Sequence, residues 1–72
     1  MIDPKTKFGE NLRQMRKSKG FSQEQLAYAS SLDRSYVGKI ERGKVNVTIG
    51  TLFILANTLG CSPKELLPDA ES

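Results

Sequence analysis

The sequence predicts an all-α fold of five short helices. Apolar residues recur at helical spacing in several separate segments. No stretch alternates apolar and polar residues over the length of a useful strand. Gly and Pro punctuate the chain at short intervals, beside residue types that start and stop helices. With 72 residues, the chain is read as one domain spanning 1–72, its core within 6–67 and modest for its size.

Helix 1 is expected from about Thr6 to Ser18. Phe8, Leu12 and Met15 make its apolar stripe, and Arg13 and Lys17 lie four apart on another face. Gly20, free to take the left-handed conformation, closes it. Helix 2 opens at Ser22, which has the spacing of a capping box with Gln25, while Phe21 holds the staple position before it. Leu26 and Ala27 point inward, and the helix ends near Ser30. Asp33 is the expected N-cap of helix 3. Val37 and Ile40 face inward there, and Gly43 ends the helix. After a loop at 44–47, Thr48 caps helix 4, whose inner face carries Ile49, Leu52, Leu55, Ala56 and Leu59 up to Gly60. Ser62, Pro63 and Glu65 then form a start signal for a short helix 5 carrying Leu66 and Leu67. Pro68 to Ser72 is read as a loose end.

Composition excludes several classes. Hydrophobic residues make up 38% and charged residues 26%, the balance of a globular domain rather than a disordered tail. The lone Cys61 cannot form an internal disulfide. With no histidine, a zinc site of the Cys/His type is out of reach, and neither metal nor cofactor is expected. No apolar signal region and no 18-residue apolar run occur, so neither signal peptide nor membrane span is expected and the location is read as cytoplasmic. No paired carboxylates or nucleophile–base pair stand out, so no enzyme activity is expected. The net charge of +3 is unevenly spread: residues 5–44 hold ten of the eleven Lys/Arg against four acids. A basic front half suits a polyanion, nucleic acid above all, although ordinary surface lysine gives the same count.

The informative stretch is Ser22 to Arg42. Two short helices separated by about three residues cannot reverse fully, so the second must cross the first steeply, as in a helix-turn-helix. Ala27 is small where the two come closest, and Leu26, Leu32, Val37 and Ile40 fill the wedge. In Gln23, Leu26, Ala27, Leu32, Val37, Ile40 and Glu41 the chain resembles the Cro/repressor-type, or Xre, helix-turn-helix family. The resemblance covers roughly residues 6–67, with Arg16, Gly43 and the Thr48-to-Leu59 helix framing it. The string LDRSYVGKIERGKVNVTI is similar to the controller proteins of restriction–modification systems. This resemblance implies a five-helix, lambda-repressor-like DNA-binding domain. It further implies a sequence-specific regulator of transcription that binds double-stranded DNA as a homodimer on a palindromic operator, blocking or recruiting RNA polymerase. A protein-interaction or antitoxin-type module on the same fold is the alternative. The chain departs from the family at the turn, where many members have Gly in place of Ser31; a positive φ there costs serine about 1 kcal/mol.

With Val37 and Ile40 inward, Arg34, Ser35, Gly38, Lys39 and Arg42 face outward on helix 3. Arginine can donate two hydrogen bonds to guanine O6 and N7, the commonest specific base contact. Arg34 and Ser35 map onto the family's base-reading positions. Tyr36 is open to two readings, packing beside Ile40 or donating its hydroxyl to a phosphate. The N-terminus of helix 2 attracts an anion, and the resemblance gives Gln23 a phosphate or base-buttressing role there. Lys17, Lys19, Lys44 and Asn46 complete a backbone footprint. By resemblance, Arg16 and Glu41 form a partly buried structural ion pair. Phe53 and Ile54 lie beside the inner stripe of helix 4; with Leu66, Leu67 and Cys61 they are candidates for a self-complementary two-fold patch, Phe53 being equally open to a core role.

Overall fold

The computed structural model describes residues 3–69. Within them lie four α-helices: α1 (Pro4–Ser18), α2 (Gln23–Ser30), α3 (Arg34–Glu41) and α4 (Ile49–Leu59), followed by a 3₁₀ turn at Pro63–Glu65. No strand occurs among the described residues. The expected fifth helix is therefore a single tight turn. Leu66 N–H bonds the Pro63 carbonyl at 3.0 Å and Leu67 N–H bonds that of Lys64 at 3.3 Å, both 3₁₀ bonds. Pro68 has no N–H to continue the ladder, and Leu66 drops into the core, so the segment stops. Of the expected loose end, residues 70–72 lie outside the described residues.

α1 starts two residues earlier than the apolar stripe suggested. Asp3 caps it, its carboxylate accepting from Lys5 N–H at 3.0 Å, and Pro4 occupies the first helical position. The four helices end alike. Residues 20, 31, 43 and 60 all take the left-handed conformation, three of them glycine and the fourth Ser31 at φ 59°. In each case the left-handed residue and its successor bond back into the last turn, as Gly43 N–H does to Ile40 and Lys44 N–H to Lys39 at 3.0 and 2.9 Å. Ser31 and Leu32 make the same pair of bonds, to Tyr28 and Ala27.

α1 packs on α3, α2 packs on both α3 and α4, and the 3₁₀ turn closes against α4. The core joins Phe8 and Leu12 of α1, Leu26 and Ala27 of α2, Val37 and Ile40 of α3, and Leu52, Leu55, Ala56 and Leu59 of α4. Val45 and Val47 pack against it from the loop. Ile49, expected on the inner face, is instead 73% exposed. It sits in the first turn of α4, where Thr48 and Gly50 are exposed too, so its inward angle meets no neighbouring element.

Two contacts fix how α1 meets the rest. Asn11 donates from its side-chain amide to the carbonyls of Leu66 and Leu67, at 3.1 and 3.3 Å, tying the C-terminal segment to α1. Gly9 brings α1 against the end of α3: a Cβ there would stand 2.7 Å from the Glu41 carbonyl oxygen and closer still to that of Ile40.

Candidate nucleic-acid interface

The start of α2 is held by a reciprocal cap. Gln25 N–H donates to Ser22 Oγ at 3.0 Å, and Ser22 N–H donates to Gln25 Oε1 at 2.8 Å. This fixes Gln23 in the first turn, beside the end of α3. Gln23 Nε2 donates to Glu41 Oε1 at 3.0 Å. Glu41 also accepts twice from Arg16, from Nε to Oε2 at 2.6 Å and from Nη2 to Oε1 at 3.1 Å. Arg16 Nη1 then reaches the Phe21 carbonyl at 2.9 Å. One guanidinium and one carboxylate, with side chains only 9% and 3% exposed, thus join the end of α1, the start of α2 and the end of α3. Each donor–acceptor pair is charge-assisted or charge-neutralising, so the junction is stiff. Composition and spacing gave no sign of the bond from Gln23 to Glu41, which depends on the crossing angle of α2 and α3.

Above this junction lies the outer face of α3. Arg34, Ser35, Lys39 and Arg42 are exposed there. A shallow recess of about 300 Å³ is lined by Gln23, Arg34, Ser35, Gly38 and Arg42. Gly38, read from sequence as outward and open, is buried, because the side chains of Arg42 and Gln23 lie over it. Asp33 sits at the N-cap position but makes no side-chain cap. Its carboxylate instead accepts from Ser35 Oγ at 3.0 Å, so the serine's proton is used locally and its lone pairs face outward as acceptors. Tyr36 is half-buried against the core, which favours the packing reading.

The flanking polar residues divide. Lys44 is exposed just after α3, and its backbone is fixed by the bond that closes that helix. Asn46 lines a different groove, between the start of α1 and the C-terminal segment, together with Phe8, Val47 and Leu67. Lys17 is exposed in the last turn of α1. Lys19 is exposed at the end of α1 and stands near enough to Cys61 for its charge to favour the thiolate. Burial outweighs that effect and, with the negative charge of Glu65, holds the Cys61 thiol above its usual pKa.

The expected apolar patch is only partly assembled. Phe53 and Ile54 are 54% and 46% exposed, and with Asn57, Cys61 and Pro63 they line an open concavity on α4. The core reading of Phe53 is thereby corrected. Leu66 does not belong to the patch: it is fully buried, because the turn at Pro63–Glu65 points it under α4 and α1. Leu67 is exposed but lines the separate groove beside Phe8. Among the described residues, no cluster of metal-ligating side chains occurs, and no helix is long and apolar enough to cross a membrane.

Residues 12–66 match the family model described as "Helix-turn-helix". The chain belongs to that family. This helix-turn-helix protein is 47% identical over 66 residues to the control protein C.SmaI of Serratia marcescens, covering 92% of this chain and 79% of that one. It is 44% identical over 61 residues to the control protein C.BamHI of Bacillus amyloliquefaciens, covering 83% and 75%. The crystal structure of the restriction-modification controller protein C.AhdI from Aeromonas hydrophila superposes with a TM-score of 0.85 at 51% identity, over 88% of this chain and 96% of that one. As a member of this family, the helix-turn-helix protein is a DNA-binding regulator of transcription and not an enzyme.

Proposed function

We propose that the protein binds a palindromic operator as a two-fold homodimer and controls genes of a restriction–modification system. The observation that carries the reading is the outer face of α3, where Arg34, Ser35 and Arg42 line one recess and Lys39 is exposed on the same helix. Such a face matches the edges of a major groove, with Arg34 donating to guanine acceptors and Ser35, whose proton is held by Asp33, accepting from a base amino group. Lys44, Lys17 and the N-terminus of α2 around Gln23 grip phosphates and set the register. The likeness to the C.SmaI, C.BamHI and C.AhdI controllers supports the restriction–modification role. The exposed apolar surface of Phe53 and Ile54 supports a second copy as partner. A unit measuring 32 × 22 × 21 Å suits a dimer whose recognition helices enter successive major grooves, about 34 Å apart. Bound at a promoter, such a dimer blocks or recruits RNA polymerase; the site of action is the cytoplasm.

Selection of bound duplexes from a random pool, followed by gel shifts at several salt concentrations, tests the reading. An enriched palindrome, with affinity falling steeply as salt rises, is the expected result. Arg34→Ala relaxes the preference at one position in each half-site. Lys44→Ala weakens all sequences alike and lowers the salt slope by about one per protomer. A pool with no enriched sequence, bound without salt dependence, rejects the proposal.

A further inference from the structure

Arg34, Gly38 and Arg42 follow one another at four-residue intervals, so they share one side of α3. The middle member has no side chain, and the space is taken by its neighbours. A Cβ on Gly38 would stand 3.1 Å from Arg42 Nη1 and 3.8 Å from Gln23 Oε1. The orientation of Gln23 is not free. Its amide nitrogen is committed to Glu41 at 3.0 Å, and the reversed amide would set oxygen against carboxylate. The oxygen therefore turns toward the recess that Arg42 also enters.

The backbone does not call for glycine at this position. Gly38 is absent from the residues with positive φ, and it lies inside a regular helix. Glycine there weakens the helix relative to alanine. The contact that alanine would make is with the tip of a flexible side chain, which can swing away. What glycine provides is the room in which the Arg42 guanidinium lies.

We propose, on the footing of the DNA-binding reading above, that Gly38 is a positioning residue for Arg42 and that Arg42 determines specificity. The missing side chain lets Arg42 fold back over α3 beside Gln23. Arg34 and Arg42 then line a single recess of about 300 Å³. Two guanidinium groups so placed meet the O6 and N7 acceptors of guanine in the major groove. With a side chain at position 38, Arg42 is displaced outward and reaches phosphates instead.

The test uses the full chain and its selected operator, with Gly38→Ala, Arg42→Ala and the double variant compared for thermal stability and for binding to every single-base change of one half-site. Gly38→Ala is expected to keep or raise the Tm while reducing discrimination at one guanine position by about tenfold. Arg42→Ala relaxes the same position. The double variant is no worse than Arg42→Ala alone, because both changes act on one contact. A Gly38→Ala protein with unchanged base preference overturns the proposal. So does an equal further loss when Gly38→Ala is added to Arg42→Ala, which would mark a direct clash with DNA. Uniform weakening of all sequences by Arg42→Ala, with a lower salt slope, makes Arg42 a phosphate contact and overturns it too. A wild-type protein that selects no site rejects the DNA-binding reading and this proposal together; a wild-type protein that selects a site, with Gly38→Ala selecting it equally well, rejects this proposal alone.

Discussion

Ser31 is the one non-glycine residue in a left-handed conformation among the described residues, and it performs the task that glycine performs at three other helix ends. A Cβ in that conformation costs roughly 1 kcal/mol. Ser31→Gly is therefore expected to stabilise the protein by about that amount, raising the Tm by about 4–8 °C in a domain of this size. Thermal unfolding followed by circular dichroism checks it, and an unchanged or lower Tm contradicts the strain argument. Arg16 and Glu41 sit at the other extreme. Their pair is nearly closed to solvent and makes bonds to Phe21 and Gln23 as well. Arg16→Met leaves a buried carboxylate without its cation and is expected to cost about 3–5 kcal/mol. Replacing both residues together, Arg16→Met with Glu41→Leu, recovers much of the loss in chemical denaturation, because no charge is then stranded. A double variant as unstable as the single would show that the bonds to Phe21 and Gln23 dominate.

Elements were legible in the sequence to the extent that local chemistry decides them. The ends of α1, α3 and α4 follow from Gly20, Gly43 and Gly60, and the starts of α2 and α4 from the Ser22 and Thr48 caps, all of which act within a few residues. The wedge of Leu26, Val37 and Ile40 followed from periodicity. What periodicity cannot express is where one element stops covering another. Ile49 has the right angle on α4 but overhangs the fold, and Leu66 lies beyond a turn too short to be a helix, yet is fully buried. The same limit applies at the reading face. Its outward residues were readable from spacing, whereas the bond from Gln23 to Glu41 and the burial of Gly38 arise from two helices meeting across space. Gly9 belongs to this group as well. Read along α1 it is only a weak helix former, but it sets the approach of α1 to the last turn of α3. For Gly9→Ala, overpacking against backbone costs about 1–3 kcal/mol, and helix propensity returns at most about 1 kcal/mol. The urea midpoint is expected to fall; a midpoint that holds or rises would mean that the helices separate at no cost.

For the whole molecule, the question is what covers α4. Burial divides that helix cleanly: Leu52, Leu55, Ala56 and Leu59 are inside, and Phe53, Ile54 and Asn57 are outside. Among the described residues, a core of eleven buried apolar side chains leaves little stability in reserve, and two large apolar side chains are left facing water around an open concavity. In the proposed dimer, pairing two copies through this face would remove both side chains from water and double the number of reading helices at once. Operator affinity and assembly are then linked, since each protomer holds its neighbour on the second half-site. Ile54→Glu would bring a carboxylate into that proposed contact twice, once from each copy, where burial without a cation is costly. Because Ile54 is 46% exposed in the single chain, the substitution should leave the helical content and the fold of the protomer intact. Sedimentation velocity is expected to show a monomer at concentrations where the unaltered protein is a dimer. Gel shifts should show the palindrome bound much more weakly, with an isolated half-site little affected. A dimer that survives the charge shifts the interface away from α4, toward the groove that Leu67 lines with Phe8 and Val47, and Leu67→Glu then becomes the variant expected to break it.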